Sequence, residues 1–157
     1  MRGMKKILLC TVFALLSACG SVARHADHAA NEGRMNDLVM YAVSLADTPY
    51  RYGGDTPDDG FDCSGFVGHV FQHELRLKLP RTSHDLSRIG TLIKPYQLQP
   101  GDLVFFNTQE RSYSHVGIFI GEGKFVHAPK SGSRIRVENM NEPYWAKHYN
   151  GARRVKV

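Results

Sequence analysis

Cysteine is scarce in this sequence: Cys10, Cys19 and Cys63 are the only three in 157 residues. They form no CxxC pair, and there is no HExxH helix, so the usual local signatures of a zinc site are missing. Long apolar runs are equally scarce. The one at the start, Ile7 to Leu16, is too short for a transmembrane helix, which needs about 20 residues, and no later stretch approaches that length. There is no internal repeat and no interior linker, which excludes a solenoid or a string of modules. No nucleic-acid motif is recognisable, so no nucleic-acid partner is expected.

The first residues read as an export signal. Arg2, Lys5 and Lys6 precede the apolar run, and the small residues Ser17 and Ala18 precede Cys19. Leu16-Ser17-Ala18-Cys19 also resembles a bacterial lipobox, whose cysteine is lipidated and becomes the new N-terminus. Residues 1–18 are then a signal peptide, and 19–34 a lipidated cysteine with a short, polar tether. In Gram-negative bacteria this resemblance implies an outer-membrane anchor facing the periplasm. The 14 residues from Gly20 to Gly33 reach roughly 46 Å at most, at about 3.3 Å per residue.

Cleavage removes three of the 20 Lys and Arg and none of the 15 Asp and Glu, so the net charge falls from +5 to about +2. The basic bias from Lys124 to the C-terminus fits either an acidic polymer or an ordinary solvated face. Cysteine usage sharpens the reading further. With Cys10 lost and Cys19 lipidated, Cys63 has no intramolecular partner in an oxidising compartment, which favours a reactive over a structural thiol.

From residue 35 onward a single α+β domain is expected, with N-terminal helices packed on a C-terminal antiparallel sheet. Met35, Leu38, Val39, Ala42 and Leu45 trace one helical face ending before Thr48-Pro49. A second helix starts at Cys63 with Asp62 as N-cap and Phe66, Val67, Val70, Phe71 and Leu75 on its apolar face, ending before Pro80. A short helix is expected over Ser83 to Ile89. Strands follow at Leu103–Phe106, Val116–Ile120, Phe125–Ala128, Ile135–Val137 and Ala152–Val157, interrupted by a short helix over Asn141–Lys147 with Asn141 as cap.

At a helix N-terminus the macrodipole and unpaired N–H groups favour a thiolate, and such placements take a cysteine pKa from about 8.5 toward roughly 3.5–7.5. A buried cysteine that packs like alanine is the competing reading. Among the eight histidines, His25 and His28 lie in the tether, His69 and His73 on the Cys63 helix, His84 on the short helix and His148 near the end. His115 and His127 sit in one hairpin. If its loop is Gly121-Glu122-Gly123, Ile120 opposes Lys124, Gly117 opposes His127, and the two imidazoles share a face with Gly117 leaving room between them. A two-residue loop would put them on opposite faces. Cys63, His115 and His127 then serve either as a Cys-His-His triad or, less simply, as zinc ligands.

Five ordered motifs carry a resemblance: Thr48-Pro49-Tyr50-Arg51-Tyr52-Gly53-Gly54, Phe61-Asp62-Cys63-Ser64-Gly65-Phe66-Val67, Leu79-Pro80-Arg81-Thr82-Ser83, Pro100-Gly101-Asp102-Leu103-Val104-Phe105-Phe106 and Ser114-His115-Val116-Gly117-Ile118-Phe119-Ile120-Gly121. Together they resemble the NlpC-type cell-wall cysteine peptidases over residues 35–157. Phe125-Val126-His127-Ala128 and Met140-Asn141-Glu142-Pro143-Tyr144-Trp145 are similar to those of the outer-membrane lipoprotein endopeptidases within that family. The resemblance implies a papain-like fold, no cofactor, and hydrolysis of amide bonds in peptidoglycan stem peptides. It assigns the nucleophile to Cys63, the base and acid to His115, and the orienting residue to His127. It also assigns an oxyanion or substrate-positioning role to Tyr52. Leu86 departs from the family, which often has glutamine there. A transpeptidase or amidase of the same class, and a non-catalytic wall-binding lipoprotein, are the competing functions. The bond cut is either D-alanyl to meso-diaminopimelate across a crosslink, which is favoured, or D-glutamyl to meso-diaminopimelate within one stem.

Overall fold

The computed structural model describes residues 29–157. The expected signal peptide, Cys19, His25, His28 and most of the expected tether therefore lie outside the described residues. The chain divides into two units, Met1–Gly33 and Arg34–Val157. Residues 29–44 are helical (α1), and within Arg34–Val157 this helix buries Leu38 and Ala42 completely. It stops where Asp47 turns left-handed (φ 68°) ahead of Thr48-Pro49. No helix among the described residues is long and apolar enough to cross a membrane.

A two-stranded hairpin, β1 (Asp55–Thr56) and β2 (Gly60–Phe61), leads into α2 (Cys63–Leu75). The sequence extends α2 toward Pro80, but it ends earlier. Arg76 adopts a left-handed conformation (φ 56°), and its N–H bonds to the Phe71 carbonyl, closing the last turn. Helix α3 is likewise shorter than expected, Ser83–Leu86, capped by the Thr82 side chain on the Asp85 N–H.

The sheet has six antiparallel strands in the order β3-β8-β4-β5-β6-β7. They are β3 (Thr91–Ile93), β4 (Leu103–Phe106), β5 (His115–Gly121), β6 (Lys124–His127), β7 (Arg136–Asn139) and β8 (Tyr149–Arg154). Sequence periodicity misses β3, a three-residue edge strand, and places β8 too late. The C-terminal strand inserts between β3 and β4, and an ion pair secures it there. Asp102, 2% exposed, accepts from Nε and Nη2 of Arg154, both at 2.8 Å, and from the N–H of Gln99. The Pro-Gly-Asp turn thus holds the end of the chain.

Alternation along each strand makes two cores. Leu103, Phe105, Val116, Ile118, Val126 and Ala128 face α1 and α2. Val104, Phe106, Phe119, Phe125 and Ala152 face the other way, beneath Trp145 of α4 (Pro143–His148). Helix α4 starts with Glu142 at its N-cap and Pro143 in the first turn. Asn141 is not the cap; its own N–H bonds to Asn139 Oδ1.

Candidate active site

Cys63 stands at the first position of α2, and the residues before it build that start. Asp62 caps the helix, accepting from the Gly65 N–H at 2.8 Å, and it also accepts from the Gly53 N–H at 3.0 Å. Arg81 grips the same carboxylate through two nitrogens at 2.7 and 2.9 Å. Burial raises the Asp62 pKa, but the Arg81 hydrogen bond and the two backbone N–H groups outweigh it, and the net shift is downward. The fixed charge is therefore secure. Gly65 permits the close approach that this start requires, because a Cβ there would lie 2.1 Å from the Gly54 carbonyl oxygen.

The thiol lies against the backbone N–H of Val116 on β5, close to where the pairing of β5 with β6 ends at Ile118–Val126. A lowered pKa is expected from the helix N-terminus, but the structure reverses it. Burial pushes the Cys63 thiol up to about 11, with the Asp62 charge adding to the rise; the N–H groups of Val116, Ser64 and Cys63 lower it by less. The same carboxylate that caps the helix thus works against the thiolate.

The hairpin between β5 and β6 settles the histidine question. Its turn is Glu122-Gly123, with positive φ at both residues (52° and 70°), so Gly121 pairs with Lys124. Such a two-residue loop alone would split the histidines between faces. A bulge between Phe119 and Gly121 restores the pairs Phe119–Phe125 and Ile118–Val126, which is the register expected from a three-residue loop. His115 and His127 therefore share a face, and His115 Nε2 lies 2.7 Å from His127 Nδ1. Both are buried, at 4% and 0% exposure. Gly117 is required between them, since a Cβ there would come within 2.7 Å of the Phe125 ring and 3.2 Å of His127 Cβ.

Burial drives His115 down to about 3, helped by His127, while Glu138 opposes the shift. His127 is also lowered by burial, again against Glu138. Both rings are thus neutral at physiological pH. Ring nitrogens in direct contact at 2.7 Å leave no space for a metal between them, and among the described residues no group of three or more ligating side chains converges. The contact fits an imidazole–imidazole hydrogen bond, and it leaves His115 Nδ1 as the ring atom free for chemistry.

Trp145 covers the pair, stacking near His115 (centroids 5.9 Å apart) and meeting His127 edge-on at 5.0 Å. Its indole N–H donates to Glu138, which also binds Arg136 and lies 3.7 Å from His127 Nε2. Two cavities flank this region. One, of about 670 Å³, is lined by His115, Lys130, Glu138, Tyr144 and Trp145. The other, of about 730 Å³, is lined by Thr82, Ser83, Arg111, Tyr113 and Ser114.

Other sequence candidates lie elsewhere. Tyr52 is 87% exposed, whereas Tyr50 is half-buried with its pKa raised by burial first and by the nearby Cys63 and Asp62 charges second. Of the two tyrosines, Tyr50 is the one that feels the Cys63 charge. Leu86 is fully buried in the helix-side core, so that position does not meet the groove at all. Tyr41 occupies His69 through a 2.9 Å hydrogen bond and stacks on His73. His148 bonds the Tyr144 carbonyl at 2.6 Å, and His84 contacts Arg88 at 3.4 Å. Sequence reasoning overlooked Arg81 as the clamp on Asp62, although it stands in a quoted motif, and overlooked Glu138, for which β7 gives no local signal.

Comparison with known proteins agrees with this geometry. The NlpC/P60 family pattern matches residues 47–154. Murein DD-endopeptidase MepH of Escherichia coli is 43% identical over 110 residues, 68% of this chain and 41% of MepH. The same organism's murein DD-endopeptidase MepS/murein LD-carboxypeptidase is 46% identical over 106 residues, 68% of this chain and 55% of that protein. This chain therefore spans about half the length of these relatives, or less. The crystal structure of an NlpC/P60 family protein from Bacillus cereus superimposes with a TM-score of 0.71 at 33% identity, covering 76% of this chain and 39% of the other. With a family match over residues 47–154 and the same fold as a solved member, the chain belongs to the NlpC/P60 family.

Proposed function

We propose that this protein is a peptidoglycan endopeptidase that hydrolyses amide bonds of murein peptides through Cys63, His115 and His127, with the D-alanyl to meso-diaminopimelate crosslink as the favoured bond. The observation that carries this reading is the buried 2.7 Å contact between His115 and His127 at the end of the sheet where the Cys63 thiol meets Val116. The similarity to the murein DD-endopeptidases MepH and MepS supports murein as the substrate class and a DD bond as the favoured one.

Both partners are neutral at rest, with Cys63 held at about 11 and His115 at about 3. Proton transfer from Sγ to His115 Nδ1 therefore accompanies attack of the sulfur on the peptide carbonyl, instead of preceding it. As the S–C bond forms, the carbonyl oxygen takes the negative charge, and backbone N–H groups at the start of α2 stabilise it. His115 then gives its proton to the leaving amine as the C–N bond breaks. Water, activated by His115, hydrolyses the thioester and returns the proton to sulfur. Tyr50 lies on the thiol side, and the exposed Tyr52 ring is left a substrate-positioning role.

Anchoring through lipidated Cys19 at the outer membrane, facing the periplasm, belongs to the same proposal. The resulting reach matches a substrate spread through the adjoining wall. Digestion of defined crosslinked and uncrosslinked muropeptides, with products identified by mass spectrometry, tests the activity and the bond together. Cleavage of crosslinked dimers to monomers is expected, with no product from a folded Cys63→Ala protein. Transfer to an added amine in place of hydrolysis would overturn the endopeptidase reading. Release of Cys19→Ser from the membrane fraction tests the anchor.

A further inference from the structure

A triad of cysteine and two histidines leaves one matter open, because the pair can be protonated in two directions. In one, His115 Nε2–H donates to His127 Nδ1, and His115 Nδ1 keeps the lone pair needed to take the thiol proton. In the other, His127 Nδ1–H donates to His115 Nε2, and the proton of His115 sits on Nδ1, where it blocks the base. Neither ring settles this alone, since both arrangements satisfy the 2.7 Å contact equally.

The next residue along does settle it. On β7, Glu138 pairs with Phe125, and Arg136 pairs with His127. Glu138 is thus diagonal to His127 on the same face, with its Oε2 3.7 Å from His127 Nε2. Arg136 Nε holds Oε1 and the indole N–H of Trp145 holds Oε2, so the carboxylate is fixed in place. His127 Nε2 itself is buried, and among the described residues it has no hydrogen-bond partner. A carboxylate facing this nitrogen favours a proton on it and disfavours a lone pair. The proton on Nε2 makes Nδ1 the acceptor, which in turn places the His115 proton on Nε2.

We propose that Glu138 is a positioning residue that fixes the proton direction of the histidine pair, so that His115 always presents a free Nδ1 to Cys63. It acts through His127, whose Nε2 it faces at 3.7 Å. When His115 gains the thiol proton, positive charge develops on the pair, and the 3.7 Å gap closes toward a charge-assisted hydrogen bond. The contact with His127 first, and Arg136 next, hold the Glu138 pKa at about 2, so the carboxylate is charged throughout any working range.

This inference rests on the triad reading, but its principal test does not. The full chain labelled with 15N at histidine reports which ring nitrogens carry protons, with or without a substrate. In the wild type, His127 and His115 are each expected to carry the proton on Nε2. In Glu138→Gln the amide can accept or donate, and both tautomers of His127 should appear. On a soluble muropeptide, Glu138→Gln should lower kcat with KM little changed. An amide in place of a tautomer-setting carboxylate costs up to about 10⁴-fold where the carboxylate touches the catalytic histidine; one ring further away, about 10-fold is expected.

The pH dependence adds a reading that a merely structural role would not move. The charged and titratable groups facing His127 are His115 from β5 and Arg136 and Glu138 from β7; Trp145 from α4 is uncharged, and Lys130 and Glu142 line the neighbouring cavity. Of these, Glu138 raises the His127 pKa and Arg136 lowers it. Loss of the Glu138 charge should therefore shift the acid limb of kcat/KM to lower pH while the plateau falls. If Glu138→Gln does not fold, Glu138→Asp, which retracts the charge by one methylene, is read in the same two ways. Unchanged histidine tautomers and an unmoved acid limb in a folded variant would overturn the proposal. If the wild type proves inactive on murein while the His127 tautomers differ between it and Glu138→Gln as described, the activity reading fails and this one stands.

Discussion

The two faces of the sheet are built from the same strands, yet they do different work. The face toward α1 and α2 is apolar, with Leu38, Phe66, Phe71, Leu86, Ile118 and Ile135 completely buried. The opposite face is aromatic: Phe106, Phe125 and Trp145 enclose His115 and His127, both buried. Apolar side chains, Phe66 and Phe71 among them, interlock there without leaving polar atoms to satisfy. A buried histidine pair needs walls that exclude water while one edge stays open to a thiol, and flat rings provide them. Cys63 belongs to the helix-side structure but its thiol meets the backbone of Val116 on β5, so the proposed active site lies where the two faces meet.

Substitutions on each face should separate activity from stability. The largest effect belongs to the histidine side: His115→Ala should lower kcat/KM on muropeptides by at least about 10³-fold, with a thermal unfolding midpoint close to wild type. On the helix side, Leu86→Ala should do the reverse, costing about 3 kcal/mol in denaturant unfolding with kcat unchanged once the protein is folded. A loss of activity beyond the unfolded fraction would show that this core also shapes the cleft.

His127→Asn should keep activity within about tenfold, because an amide oxygen can accept from His115, whereas His127→Leu should lose most of it. Burial lowers both histidines, so their neutral forms persist below the ordinary value of about 6.5, and the wild-type acid limb should lie below that pH. The Asn variant should lose its His127 component. An unchanged acid limb would mean that His127 does not orient His115.

At the junction of the faces, Asp62→Asn keeps a capping oxygen but loses the charge that the half-exposed Arg81 grips, and should cost about 1 kcal/mol at neutral pH. The pKa of Asp62 is lower in the folded protein than its ordinary value. Its stabilisation is thus complete above the unfolded pKa and lost as pH falls through the folded one, so wild type and variant should converge in acid. The smallest effect is expected at the turn, where Glu122 has a φ of 52°. Glu122→Asn, which suits that conformation better, should stabilise by about 0.5 kcal/mol with no change in kcat.

Much of this organisation is legible in the residues. The apolar spacing from Phe66 to Leu75, the Asp62 cap and the alternation of His115, Gly117 and Phe119 are local, and local patterns fix helix starts and strand faces. The ordered motifs likewise point to the NlpC/P60 family. Where the sequence reading failed, the deciding contact was distant or a backbone detail. Arg76 ends α2 in a left-handed conformation with no glycine to signal it. That Tyr50 is half-buried and Tyr52 exposed is likewise not revealed by two tyrosines in one motif.

By itself the sequence determined which elements hold Cys63, His115 and His127 and which faces they occupy, because side-chain type and period 2 or 3.6 are properties of neighbours along the chain. Only the tertiary structure decided the state of those groups. The bulge that aligns His115 with His127, the insertion of β8 between β3 and β4, and Glu138 standing 3.7 Å from His127 are products of chain crossing and strand register. So is the sign of the Cys63 pKa shift: a helix N-terminus favours the thiolate, but burial and the Asp62 charge outweigh it, and how much water remains around a thiol is set by everything packed against it.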